Sequence, residues 1–148
     1  MLNVKKILVP TDFSENAELA FKSAVEIAEV FNSEVILLHA IPTENAMVST
    51  YLGEKGAGDL KKRLVEESNQ MFSKLINKYV KDKNIKTSSV VKFGEPYNEI
   101  LKYGEENDIS LIVIASHTKS FFEDVFFGST TEKVVRRSKK SVLVVRNI

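Results

Sequence analysis

Short, continuously apolar runs alternate along this chain with longer segments of helical periodicity. Five such runs lie at residues 7–10, 34–40, 85–93, 110–115 and 141–145. Runs in which aliphatic residues follow one another without polar alternation indicate strands that are covered on both faces, as in a parallel sheet. The alternation with helical segments therefore predicts an α/β protein built on a five-stranded parallel sheet.

The first helical segment carries the clearest start signal. Ser14 can cap a helix that follows the first apolar run, and Glu15 places a negative charge in its first turn. The predicted apolar face repeats at spacings of three and four residues and consists of Ala17, Ala20, Phe21, Ala24, Ile27, Ala28 and Phe31. This pattern is typical of a helix that packs on a sheet.

Three further helices are predicted. The second runs from about Asp59 to Val80, the third follows Gly94 and Pro96, and the fourth begins at Ser129. One face of the second helix is expected to carry Leu60, Leu64, Met71, Leu75 and Tyr79. The preceding stretch, residues 42–58, holds three of the six glycines and is predicted to be a long connection without regular structure.

Right-handed crossovers would place helices on both faces of a doubly wound sheet with strand order 3-2-1-4-5. Residues 1–148 are expected to form a single domain. In this order the first and fourth strands are neighbours, so the loops at residues 10–14 and 115–128 would face each other. Ligands bind in the crevice at such a switch point in open α/β sheets.

Composition narrows the class of protein further. The net charge is only +1, which gives no electrostatic case for nucleic acid, and the absence of cysteine excludes disulfides and thiol catalysis. The chain begins without a signal-peptide apolar region and has no apolar run near the ~20 residues that span a bilayer. We therefore expect a cytoplasmic protein that does not bind membranes.

Four segments carry a family resemblance. Residues 7–14 (ILVPTDFS), 37–40 (LLHA), 128–135 (GSTTEKVV) and 141–145 (SVLVV) resemble universal stress proteins in order and spacing. The resemblance implies a fold like that of the adenine nucleotide alpha hydrolases, a regulatory or protective role in the stress response, and an unidentified protein partner. It also implies a homodimer formed through strand 141–145, antiparallel to its mate.

The resemblance further implies that an adenine nucleotide, ATP or AMP, binds in the crevice, with Mg²⁺ only alongside the nucleotide. Asp12 would contact the ribose or a phosphate-bound metal. The residues implied to bind the nucleotide are Pro10, Thr11, Asp12, Ala40, Ile114, Ala115, His117, Thr118, Lys119, Gly128, Ser129 and Thr130. Many members use the pattern Gly, two residues, Gly, nine residues, Gly, then Ser or Thr. Here Ala115 and Thr118 stand where the first two glycines would be, while Gly128 and Ser129 match.

Two functions stay open at this point. The first is a nucleotide-responsive switch, favoured by Asp12, His117, Gly128 and Ser129. The second is a dimeric interaction module of the same fold that binds no nucleotide. Ala115 and Thr118 favour it, and Thr118 does so more strongly because a β-branched residue is an outlier at positive φ. An enzyme ranks last, whether a weak ATP hydrolase or a self-phosphorylating protein, because no general base is evidently paired with a nucleophile.

Several candidate residues also have purely structural interpretations. Ser129 to Glu132 read as a capping box that would use backbone donors a phosphate also needs. Asp12 suits a turn in which it bonds its own local backbone. His39 is expected to be a packed strand-end residue, and neither it nor His117 has the neighbours of a metal site.

Two clusters lie outside this scheme. The Phe-rich segment 121–127 is predicted either to pack on its own domain or to cover the crevice or a partner. The basic residues Arg136, Arg137, Lys139 and Lys140 are expected to form a solvated helix end.

Overall fold

All five predicted strands lie in one parallel sheet in the computed structural model, which describes residues 2–42, 45–117 and 128–147. The strand order is β3-β2-β1-β4-β5, as predicted. The strands are β1 (Lys6–Pro10), β2 (Glu34–Ile41), β3 (Thr87–Phe93), β4 (Leu111–Ala115) and β5 (Ser141–Val145). The apolar runs therefore located every strand to within two residues.

Helices cover both faces of the sheet and create two cores. The helices are α1 (Glu15–Phe31), α2 (Asn45–Val80), α3 (Pro96–Glu106) and α4 (Ser129–Arg137). Ile7 and Val9 of β1 join the core that holds Phe21 of α1 and Phe72 of α2. Leu8 points the other way and joins Ile100 of α3 and Val134 of α4. Consecutive strand residues thus face opposite cores, which explains why the strands carry no polar alternation.

Helix α1 begins as the sequence predicts. The Ser14 hydroxyl oxygen accepts a hydrogen bond from the backbone N–H of Ala17 at 3.3 Å, which satisfies one of the free donors of the first turn. The helix ends at Asn32, whose φ of 55° is the left-handed conformation common at helix C-termini. The prediction that Phe31 belongs to the apolar face is wrong, because this last helical residue is 44% exposed at the end of the core.

The prediction of an irregular connection over residues 42–58 is wrong. Helix α2 already begins at Asn45 and continues to Val80, with one interruption at Gly53. Gly53 has φ 71° and ψ 175°, a combination that is essentially restricted to glycine. The glycines lowered the apparent helical propensity of this segment, although Gly56 and Gly58 lie within the helix.

The apolar face of α2 was predicted in part, because Leu75 is buried and Tyr79 packs against the same core, whereas Met71 does not belong to it. Phe72 is buried, and its ring meets the ring of Phe13 edge to face with centroids 5.3 Å apart. The neighbouring Met71, which the sequence places on the buried face, is 38% exposed. No helix within the described ranges combines the length and the apolar character that crossing a bilayer requires.

Candidate functional site

A crevice opens at the carboxyl ends of β1, β2 and β4, at the predicted switch point. Its volume is about 310 Å³ among the described residues. Neighbouring strands β1 and β4 send their chains to helices on opposite faces, which leaves this gap between the loops. The wall consists of Pro10, Thr11, Asp12, Leu38, His39, Ala40, Pro42, Pro96, Ile100, Ile114, Ala115, Gly128, Ser129, Thr130 and Thr131.

Most of the residues implied by the resemblance lie on this wall. They are Pro10, Thr11, Asp12, Ala40, Ile114, Ala115, Gly128, Ser129 and Thr130. His117 is not on it. Its ring Nδ1 lies 3.3 Å from the Ser116 hydroxyl, and its backbone carbonyl accepts a hydrogen bond from Asn16 Nδ2 at 2.9 Å. Thr118, Lys119 and the Phe-rich segment 121–127 lie outside the described residues.

The wall also contains residues that the sequence analysis did not assign to the nucleotide site, namely Leu38, His39, Pro42, Pro96, Ile100 and Thr131. Most of them follow from topology. Parallel strands end at the same edge of a sheet, so the end of β2 and the start of α3 after β3 come near the end of β1. The predicted strand order therefore places Pro96 near the crevice. It does not place Ile100 on the wall, because Ile100 lies one helical turn farther along α3.

The turn after β1 is held by its own side chains. The Thr11 hydroxyl oxygen accepts from the Phe13 N–H, and Asp12 Oδ1 accepts from the Ser14 N–H, each at 3.0 Å. Phe13 has φ 64°, a conformation that bulky residues rarely adopt. The local turn role expected of Asp12 is thus present, while the same residue lies on the crevice wall.

His39 fixes the turn from the side of β2. Its Nδ1 lies 2.8 Å from the carbonyl oxygen of Thr11, and its ring packs against Phe13 with centroids 4.6 Å apart. Because a carbonyl oxygen only accepts hydrogen bonds, this contact requires a proton on Nδ1. His39 is therefore the packed strand-end residue that the sequence indicates, and it also supports the wall.

The start of α4 differs from the predicted capping box. The N-cap is Gly128, which has no side chain to bond the first turn, and Ser129 is the exposed first helical residue. The Thr131 hydroxyl donates instead to the carbonyl of Ala115 at 2.7 Å, and Glu132 pairs with Arg136 at 3.1 Å. The helix begins one residue earlier than a Ser129 cap requires. No capping side chain from the described residues therefore occupies the N–H groups at this end of the helix.

The structure also shows what two motif positions require. Ala115 is an extended residue of β4 without positive φ, and it is buried, so its methyl group introduces no backbone strain. Gly128 has φ −67°, which any residue adopts, but a Cβ there would lie 3.4 Å from the Cα of His117. A Cβ at that distance makes an ordinary van der Waals contact, so neither φ nor the available space requires glycine at this position.

The crevice combines an apolar region with a helix N-terminus that no side chain of residues 2–42, 45–117 or 128–147 caps, on a doubly wound sheet with the predicted strand order. The sequence model of the universal stress protein family matches residues 3–146. This chain belongs to the universal stress protein family. It is 36% identical over 154 residues to universal stress protein MJ0577 of Methanocaldococcus jannaschii, with 96% of this chain and 94% of the relative covered.

The structural comparison agrees with the family assignment. The solved structure of MJ0577 matches this universal stress protein with a TM-score of 0.82 at 36% identity, covering 100% of this chain and 99% of the other. Universal stress protein MJ0531 of the same organism is 31% identical over 144 residues, with 96% of this chain and 82% of the relative covered.

Two more distant solved structures hold nucleotides. A universal stress protein in complex with cAMP matches with a TM-score of 0.62 at 21% identity, covering 97% and 98% of the two chains. A universal stress protein from Archaeoglobus fulgidus in complex with dAMP matches with a TM-score of 0.65 at 18% identity and the same coverage. At these identities the likeness establishes a shared fold alone.

Proposed function

We propose that this universal stress protein is a regulatory protein that binds an adenine nucleotide in the crevice between β1 and β4. The observation that carries the proposal is the pairing, in one crevice, of apolar wall residues with the uncapped N-terminus of α4. An aromatic base suits the apolar wall. A phosphate suits the start of α4, because free backbone N–H groups and the helix dipole both favour an anion. The cAMP and dAMP complexes of the distant fold neighbours are in keeping with such a ligand.

The apolar part of the crevice lies on the β2 and α3 side. Leu38 of β2 and Ile100 of α3 line the crevice there, Ile114 of neighbouring β4 adds to the lining, and all three belong to one buried core. The polar part lies at Ser129 and Thr130, across from Asp12 at the end of β1. This division matches a ligand with one flat apolar end and one anionic end.

The alternative, a module that binds no nucleotide, was favoured by Ala115 and Thr118, which stand where glycines would be expected. Ala115 does not strain the strand, and the predicted capping box does not form, so no side chain among the described residues occupies the donors at the start of α4. Both observations favour the nucleotide-binding candidate. Thr118, the other departure from the glycine pattern, lies outside the described residues.

Calorimetric titration of nucleotide-stripped protein tests the proposal. We expect saturable heat with AMP or ATP and a rise in melting temperature at saturation, because a ligand that binds only the folded state stabilises it by mass action. Adenosine and inorganic phosphate, each titrated alone, serve as controls for the two halves of the ligand. A folded protein that shows neither heat nor a thermal shift at millimolar AMP and ATP would contradict the proposal and support the module without nucleotide.

We also propose that the protein acts as a homodimer through β5. This strand lies at one edge of the sheet, paired with β4 on its inner side, and Leu143 is 40% exposed. An apolar edge strand with unpaired backbone groups is a template for pairing with another strand, and a second copy of the chain offers an identical one. Antiparallel pairing about a two-fold axis would cover both edges.

A further inference from the structure

The crevice wall carries almost no positive charge. Among the wall residues that the structure describes, none is lysine or arginine, and Asp12 is the one carboxylate. The Nδ1 of His39 is engaged in a hydrogen bond to the carbonyl oxygen of Thr11. The one permanently charged side chain of the described wall is therefore the carboxylate of Asp12.

The cations of α4 are directed elsewhere. The Nζ of Lys133 lies 4.6 Å from the ring centroid of Tyr97, and the guanidinium carbon of Arg137 lies 5.1 Å from the same ring. Arg136 pairs with Glu132 at 3.1 Å on the exposed side of the helix. These basic side chains bind to an aromatic ring and a carboxylate, and the wall includes none of them.

The remaining attraction for an anion comes from the start of α4. A helix N-terminus acts as roughly half a positive charge and satisfies an anion within its first turn, which suits one phosphate group. A second and third phosphate would extend beyond the first turn into a wall whose fixed charge is that of Asp12.

We infer that the crevice discriminates between nucleotides by charge and binds a nucleoside monophosphate more tightly than the triphosphate when no divalent cation is present. Asp12 is the specificity-determining residue, because it adds repulsion for each further phosphate. The inference rests on the proposed function, since it concerns the same crevice.

The test compares AMP and ATP by calorimetry in EDTA for the parent, for Asp12→Asn and for Glu15→Gln. Asparagine keeps the oxygen that accepts the Ser14 N–H, so the turn is preserved, and thermal melting verifies folding. Glu15→Gln is the matched control, because it removes an exposed carboxylate in the first turn of α1 that is not on the wall.

We expect AMP to bind the parent roughly tenfold more tightly than ATP, the size of effect that like charges produce at a partly solvated site. Asp12→Asn should reduce this ratio at least threefold by strengthening ATP binding, and Glu15→Gln should leave it unchanged. Excess Mg²⁺ should also reduce the ratio of the ATP and AMP dissociation constants, because it neutralises part of the triphosphate charge.

The possible failures are distinguishable. If neither nucleotide binds the parent, the proposed function is wrong, and the inferred preference for the monophosphate is wrong as well. If both bind but ATP binds as tightly as AMP in EDTA, or if Asp12→Asn leaves the ratio unchanged, nucleotide binding stands and the preference is overturned.

Discussion

The open start of α4 makes a prediction in which folding and binding respond in opposite directions. Ser129 is the first helical residue, it is exposed, and the preceding Gly128 provides no cap. The substitution Ser129→Asp places a carboxylate at the positive end of the helix dipole. We expect a gain of about 0.3–1 kcal/mol in the free energy of unfolding, as for other acidic groups at exposed helix N-termini. For a chain of this length, that gain raises the melting temperature by about 1–4 °C.

The same carboxylate should weaken nucleotide binding. Two like charges about 5 Å apart repel by about 1 kcal/mol in water and about 3 kcal/mol at a protein surface of lower effective dielectric constant. This corresponds to a loss of affinity of roughly 5- to 150-fold. Differential scanning calorimetry of the ligand-free protein and isothermal titration with AMP measure the two effects separately.

The matched control is Ser129→Asn, which has the shape of aspartate without its charge. The difference between the two variants isolates the charge from any steric effect at the crevice wall. If Ser129→Asp and Ser129→Asn bind AMP equally, the phosphate does not lie at the start of α4. If Ser129→Asp is no more stable than Ser129→Asn, the first turn of α4 does not present free N–H groups that attract a carboxylate.

Three further predictions concern the fold and the assembly. Gly53→Ala should destabilise the protein by about 1–3 kcal/mol, because alanine is strained at this φ and ψ. Gly58→Ala, in the exposed helix interior, should stabilise it by about 0.5–1 kcal/mol. If chemical denaturation shows that both variants change the free energy of unfolding in the same direction, the interruption of the helix at Gly53 is refuted. Leu143→Asp should convert the dimer to a folded monomer in light scattering, and an unchanged mass would exclude the β5 interface. Hydrogen bonds from Lys78 and then Tyr79 hold the pKa of Glu18 below its ordinary value of 4.5, so this contribution to stability is present above pH 4.5 and is lost as the pH falls through the folded-state pKa. Glu18→Gln should therefore be less stable than the parent at pH 7, and the gap should close on acidification; a constant gap would show that the ionised pair is not responsible.

The apolar runs and their alternation with helices were sufficient to predict the whole sheet. The strands β1, β2 and β4 are largely buried on both faces, which leaves a clear pattern, whereas the edge strands β3 and β5 are partly exposed. The same pattern failed at residues 42–58. Glycines at positions 53, 56 and 58 suggested a loop, whereas one of them interrupts a helix and the other two lie within it. Local propensity could not distinguish these cases, because tertiary packing of α2 on the sheet decides them.

The candidate site shows a similar division. The strand ends that form the crevice followed from topology, and so did the position of Asp12. The capping box at Ser129 failed because a shift of one residue moves the N-cap to Gly128, and helix boundaries are not fixed by sequence to that precision. The support of the β1 turn by His39 depends on a contact between strands that no local motif encodes.

The central claim is that the crevice between β1 and β4 binds an adenine nucleotide at the start of α4. Isothermal titration of nucleotide-stripped parent protein with AMP, run beside Ser129→Asp at equal folded concentration, tests it most directly. The account predicts saturable binding to the parent and a large loss in the variant. Absence of AMP binding by the folded parent, or equal binding by both proteins, would contradict it.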